Sequence, residues 1–250
     1  MAENIVMSEM TWTEVQEAMK DRPVALVPVG AIEAHGPHLP LSTDTVIATA
    51  MAKRGAAKLR EHGVSSLVLP PVYFTVADFG ADFPGTLSLP TDAAFNLLRD
   101  VCVAAGQKFR AVALVNIHLE PSHMECLKRA VDEARKAGVS VCYADITRKR
   151  WADKLGAAFL QGDHAGAWET SLMMAAAPAM VRERERISLP PIDGLLPAIK
   201  KGAKNFAEAG GEDAYFGDPS AASAEDGESY FDALAEVLSL SVMEHLGSKA

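Results

Sequence analysis

Val24-Ala25-Leu26-Val27-Pro28-Val29 is an unbroken apolar run, framed by Arg22-Pro23 before it and Gly30 after it. A strand with one wet face alternates apolar and polar residues, so a run with no polar member reads as a strand covered on both faces. Working outward from it, residues 66–69, 111–116 and 140–144 share this character. Helical patterns lie between the runs. Residues 45–61 carry Ile47, Ala50, Met51 and Leu59 along one side and stop before Gly63. Residues 91–107 open on Thr91 and Asp92 and carry Phe95, Leu98, Val101 and Cys102 at helical spacing. Residues 121–137 carry Met124, Leu127, Ala130, Val131 and Ala134 and meet a terminating Gly138. Alternation of this kind predicts a βαβ series whose right-handed crossovers build a three-layer α/β/α sandwich on a mostly parallel sheet.

The last third reads differently. Residues 167–181 form a buried helical pattern, and residues 187–219 are rich in Pro and Gly and predict an irregular path. Residues 223–246 close the chain as a helix with Phe231, Leu234, Val237, Leu238 and Val242 inward. No repeat or low-complexity linker divides the sequence, so residues 1–250 are read as one domain.

Composition narrows the function class. With 250 residues, 49% of them hydrophobic and 23% charged, the chain can bury a substantial core. A net charge of -9 argues against a nucleic-acid or anionic-membrane surface. No run approaches the roughly 20 apolar residues of a membrane span, and the opening residues carry Glu3 and Glu9 without a basic cluster. Cys102, Cys126 and Cys142, an odd set without a CxxC spacing, fit buried thiols in a reducing compartment. A soluble cytoplasmic protein is the expectation.

Ligands of open α/β sheets bind beyond the carboxyl ends of the strands. After 24–29 comes Gly30-Ala31-Ile32-Glu33-Ala34-His35-Gly36-Pro37-His38, and after 111–116 comes Ile117-His118-Leu119-Glu120. Each puts a carboxylate and an imidazole two residues apart, on the same side of an extended backbone. Glu33 with His35 and His118 with Glu120 thus form two claws at one sheet edge, and Asp44 follows within reach. Three carboxylates and two imidazoles suit Zn²⁺ or Mn²⁺ rather than a thiolate site. A pair of cations would also offset the mutual repulsion of so many acids. A single claw of this kind is ordinarily a hydrogen-bonded surface pair; it is the repetition at two strand ends that points to metal.

Residues 29–44, Val-Gly-Ala-Ile-Glu-Ala-His-Gly-Pro-His-Leu-Pro-Leu-Ser-Thr-Asp, closely resemble the signature segment of the creatininase (creatinine amidohydrolase) family. Residues 83–89, 116–122 and 164–172 agree with it too, as does Gly217-Asp218-Pro219 followed by Ala221 and Gly227. The resemblance implies a mostly parallel α/β sandwich, two Zn²⁺ or Mn²⁺ ions per subunit, a small-molecule substrate and a homo-oligomer, often a hexamer. It implies that Glu33 and His118 hold one ion, that His35 and Glu120 hold the other, and that Asp44 bridges them. His164 matches the family's histidine beside the substrate, which makes it the expected proton shuttle with Glu120 as its catalytic companion at the metal.

The match has informative gaps. Creatinine-hydrolysing enzymes place tryptophans where this chain has Ala144 and near Leu160, which points away from creatinine itself. Ile117 replaces the usual glycine and Pro121 the usual asparagine, while Glu120 is kept where many members have glycine. The expected reaction is hydrolysis of the C–N bond of a small amide, cyclic ones included, by a metal-activated water. The alternatives are C–C hydrolysis in a cyclic ketone, an aldose–ketose type proton transfer, and a metabolite-binding module without hydrolysis. Against the last, no G-x-G-x-x-G or Walker segment follows a strand. His38 reads as a group orienting a ligand. His123 reads as a solvated or capping residue, residues 182–186 as a solvated turn, Glu169 as part of a hydrogen-bond network and Trp168 as core.

Overall fold

A computed structural model describes residues 4–247 of the chain. In order, its elements are α1 (Trp12–Ala18), β1 (Val24–Val29), α2 (Thr43–Glu61), β2 (Ser66–Val68), α3 (Thr91–Gly106), β3 (Ala111–Asn116) and α4 (Pro121–Lys136). Then follow β4 (Val141–Tyr143), α5 (Ala152–Gln161), α6 (Ala167–Ala176), α7 (Glu183–Arg186), α8 (Leu195–Lys200) and α9 (Ala224–His245). The strands stand in the order β2-β1-β3-β4, and every pairing among them is parallel.

Both faces of the sheet are covered, as the unbroken apolar runs require. Val24, Leu26, Ala113 and Val115 point into one core, shared with Ile47, Met51, Leu172, Phe231, Leu234 and Leu238 of α2, α6 and α9. Their neighbours Ala25, Val27, Val29, Val112 and Leu114 point into a second core with Leu98, Cys102, Leu127 and Ala130 of α3 and α4. Period-two alternation therefore survives, but each face meets a helical layer instead of water. The three-layer α/β/α sandwich of the sequence reading is the observed fold. Each buried Val, Leu or Ile contributes roughly 1.5–3 kcal/mol, so these cores dominate the stability. Cys102, Cys126 and Cys142 are buried free thiols within them.

From β1 the chain moves outward to β2, then returns to the other side of β1 as β3. The strand order reverses between β1 and β3, and a crevice opens there beyond their carboxyl ends. Six register pairs from Val24↔Ala111 to Val29↔Asn116 hold the two strands level, so the loops that follow them start side by side.

Other expectations need correction. The helix expected over 167–181 ends at Ala176: Pro178 disfavours helical backbone at Ala177, which sits at φ −150. The irregular 187–219 stretch contains α8, and the charge run 182–186 is solvated over 182–185, as expected, but not at Arg186. Arg186 is buried, and its guanidinium donates to the Pro219 and Ser220 carbonyls. Among the described residues, no helix is long and apolar enough to cross a membrane.

Candidate metal centre

The loop after β1 is held in an open course by backbone bonds to three separate segments. Glu33 N–H donates to Leu41, Leu87 N–H to Ile32, and Gly36 N–H to Ala214. Gly36 takes the left-handed conformation, φ +64, that this turn demands. Asp44 lies in the first turn of α2, which can approach β1 because residue 30 is glycine. A Cβ there would lie 2.6 Å from both the Asp44 Cβ and the Thr45 nitrogen.

The sequence-predicted residues converge. Glu33, His35, Asp44, His118, Glu120 and His164 are all buried. His35 Nε2 lies 3.3 Å from Asp44 Oδ1, and His118 Nδ1 lies 3.1 Å from Asp44 Oδ2 and 3.4 Å from Glu33 Oε2. Asp44 thus turns one oxygen toward each imidazole. Ligand-forming atoms of Glu33, His118 and Glu120 lie within 4.8 Å of one another, as do those of His35, Asp44 and Glu169. The clustering therefore groups Glu120 with Glu33 and His118, sets Glu169 beside His35, 3.7 Å away, and brings His164 to Glu33 and His35 as well.

Tautomers are fixed from behind. His35 Nδ1–H donates to the Glu33 carbonyl at 3.0 Å, which directs Nε2 into the cluster. His118 Nε2–H donates to the Val76 carbonyl at 2.8 Å, which directs Nδ1 inward. Backbone carbonyls behind imidazoles are the usual orienting groups of metal-binding histidines. Asn116 adds to this, donating through Nδ2 to the His118 carbonyl at 2.6 Å and accepting from His123 Nε2–H at 2.9 Å. His123 is therefore fully buried against His118, ring centroids 4.9 Å apart, and is not a solvated cap. His38 is buried too and bonds to Thr170 Oγ1 at 2.9 Å, an orienting role at one remove from the cluster.

The electrostatics are those of crowded acids and imidazoles in a dry site. Burial pushes Glu33 up to about 7 against the pull of His118 and His35, and burial pushes Glu169 up to about 8. For His35 and His118, burial works against the charged form, but the surrounding carboxylates outweigh it and raise both to about 10. For Asp44, burial is likewise outweighed, here by His35 and His118, and the carboxyl stays well below its ordinary range. His164 is held neutral by burial and by neighbouring His35.

The donor set fits divalent cations. Glu33 Oε1, His35 Nε2 and Asp44 Oδ2 are buried without a hydrogen-bond partner. His35 Nε2 and Asp44 Oδ2 stand at charge-pair distance from Asp44 Oδ1 and His118 Nδ1 without a hydrogen bond. Buried polar atoms are rarely left so; atoms converging on shared ions are. Four acids and two imidazoles, all O and N donors, suit Zn²⁺ or Mn²⁺.

His164 stands over this cluster, its ring 4.4 Å from that of His35 and 4.4 Å from that of Phe206. Its backbone exchanges two hydrogen bonds with Phe216, and its Nε2–H donates to the Ala34 carbonyl at 3.0 Å, leaving Nδ1 as the acceptor. The next residue, Ala165, takes φ +51, uncommon for a residue with a Cβ. Its N–H donates to Glu169 Oε2 at 2.6 Å, so the strained turn also aims the carboxylate. Glu169 is the residue of this cluster that the sequence reading underrated. The available signal was its place in the first turn of a helix that starts right after His164.

Comparison with known proteins bears on family and fold. The profile of the family described as Creatininase: Creatinine amidohydrolase matches residues 8–241. A mycofactocin precursor peptide peptidase of Mycobacterium tuberculosis strain H37Rv is 33% identical over 222 residues, covering 86% of this chain and 82% of its own. A solved structure described as Creatininase Mn superposes with a TM-score of 0.76 at 24% identity, over 96% of this chain and 98% of that one. A mutant creatininase of the Zn-Zn type gives 0.72 at 24% identity, over 97% and 98%.

Proposed function

The chain belongs to the creatininase family of hydrolases, and on that premise we propose that it cleaves a C–N amide bond with the aid of two divalent cations, Zn²⁺ or Mn²⁺. Glu33 and His118 would hold one, with Glu120 beside them, and His35 and Glu169 the other, with Asp44 between. Such a pair supplies a water of lowered pKa and a Lewis acid for the amide carbonyl.

The chain's own residues do the rest. Phe206, Phe216 and Ala34 form a small apolar cluster at the site, joined by Phe79 and Phe83, which keeps bulk water from the reacting groups. His164, neutral and with Nδ1 free, is placed to take a proton at that nitrogen and return it to the leaving nitrogen. Glu120 is aimed by two donors, the Phe79 N–H and the Ser122 hydroxyl.

The observation that carries the reading is the convergence of unpartnered buried ligand atoms at the strand-order reversal. The peptidase relative supports an amide, linear or cyclic, as substrate. The test is to load the purified chain with Zn²⁺ or Mn²⁺, count the metal, and offer cyclic amides, formamides and short peptides. Two ions per chain and a product heavier by one water are expected. No stoichiometric metal, or turnover with unchanged mass, overturns it. We further read the chain as a homo-oligomer, with a hexamer expected in mass photometry.

A further inference from the structure

A cavity of about 290 Å³ lies over the cluster, at the lower edge of the size range of small-ligand sites. Its floor is the carboxylates and imidazoles; its walls are of another character. Phe159 and Leu160 from the end of α5, Leu195, Leu196 and Ile199 from α8, and Phe206 line them. The two helices are locked together at close range. Leu195 N–H donates to the Gly162 carbonyl. A Cβ on Gly162 would lie 2.5 Å from Leu196 Cγ, and one on Gly194 would lie 2.0 Å from the Gln161 carbonyl oxygen. The two glycines therefore allow α8 to lie against α5 and complete the wall.

Leu160 is 51% exposed and Leu196 40%, so large aliphatic side chains stand uncovered at the rim of a reactive site. Among the described residues, no Lys or Arg lines this cavity. Above the floor the side chains with polar atoms are Thr147, Asp163 and Trp168: both Asp163 oxygens already accept backbone N–H groups of Gly166, Trp168 and Glu169, and the Trp168 indole N–H is itself buried. A charged group entering here would lose hydration, with no wall cation to answer an anion and the wall carboxylate of Asp163 already engaged. An apolar group would cover the rim and be covered by it.

We propose that this wall is a subsite for a bulky, uncharged apolar group adjoining the scissile amide, with Leu160, Leu196 and Ile199 as its specificity determinants. The preferred substrates are then hydrophobic amides or peptides bearing a side chain of leucine or phenylalanine size, not small polar rings. This rests on the dinuclear hydrolase reading above.

The test uses the zinc-loaded full chain and a hydroxamate series followed by titration calorimetry. Acetohydroxamate reports the metals alone; 4-methylpentanohydroxamate and 3-phenylpropanohydroxamate add the apolar group. The larger probes bind tighter by about 10- to 200-fold, the discrimination a hydrophobic pocket ordinarily achieves. Leu160→Asp and Leu196→Asp, at partly exposed positions, remove that gain and leave acetohydroxamate affinity unchanged. Equal affinity of small and large probes for the wild-type chain overturns the subsite and leaves the metal reading standing. Failure of every probe to bind overturns the metal reading and the subsite with it.

Discussion

His118 Nδ1 stands 3.1 Å from Asp44 Oδ2 while the opposite nitrogen of the same ring is held by the Val76 carbonyl at 2.8 Å. The ring is thus aimed by the backbone at one side and answered by a carboxylate at the other. Asp44 answers His35 in the same way through its second oxygen. Asp44→Ala should therefore lose both metals in elemental analysis. In the metal-free protein it should also lower the unfolding free energy by about 3–5 kcal/mol, because two buried imidazolium groups lose their partner.

Chelation should abolish turnover and lower the melting temperature, and Zn²⁺ or Mn²⁺ should restore both. An ion present at a thousandfold excess over its Kd adds about 4 kcal/mol to the folded state. Differential scanning fluorimetry with and without chelator reads this directly, and an unchanged transition would count against metal held in the fold.

His164→Ala should keep its metal complement and lose turnover by about 10²–10⁴-fold, the ordinary contribution of a positioned acid or base. Its Nε2–H is committed to the Ala34 carbonyl, away from Asp44. Full turnover in this variant removes His164 from the reaction.

Asn116→Ala should weaken metal binding by about 10–100-fold without touching a ligand. The side chain fixes the His118 carbonyl and His123 together, and its loss strands buried polar groups at about 1–3 kcal/mol each. Metal titration and urea unfolding separate the two effects.

Acid sensitivity should depend on His38. Burial and the nearby His35 lower its pKa to about 4, against an ordinary value of 6.5. Below 6.5 the unfolded chain takes a proton that the folded chain refuses, so stability falls as pH drops from 6.5 toward 4. His38→Gln should flatten that slope in urea unfolding at pH 7 and pH 5. Burial acts in the same direction on His123 and His164, so part of the slope remains.

Much of the fold was legible because two strands announce themselves without ambiguity. Residues 24–29 and 111–116 have no polar interruption until Asn116, and both appear as strands with those bounds. The α5 and α8 helices were not legible, since α5 bends at Gly156 and α8 is only a turn and a half inside a Pro- and Gly-rich stretch. At the site, the two claws and Asp44 could be found from spacing because they directly follow strands or open a helix. His123 could not, and Glu169 only through its place in the first turn of the helix after His164. Their roles depend on which way a helix faces the crevice, and that is decided by the packing of α6 and α4 on the sheet.

The adjacency of β1 and β3 sets an order of events in the making of this protein. Glu33 leaves the ribosome long before His118, and Glu169 later still, because α2, β2, α3 and α4 must be synthesised between and around them. A nascent chain that has emerged only as far as β2 offers Glu33, His35 and Asp44 with nothing opposite. On the proposed ligand set, ion capture would be among the last steps of biogenesis and would clasp two distant parts of the polypeptide once both have docked.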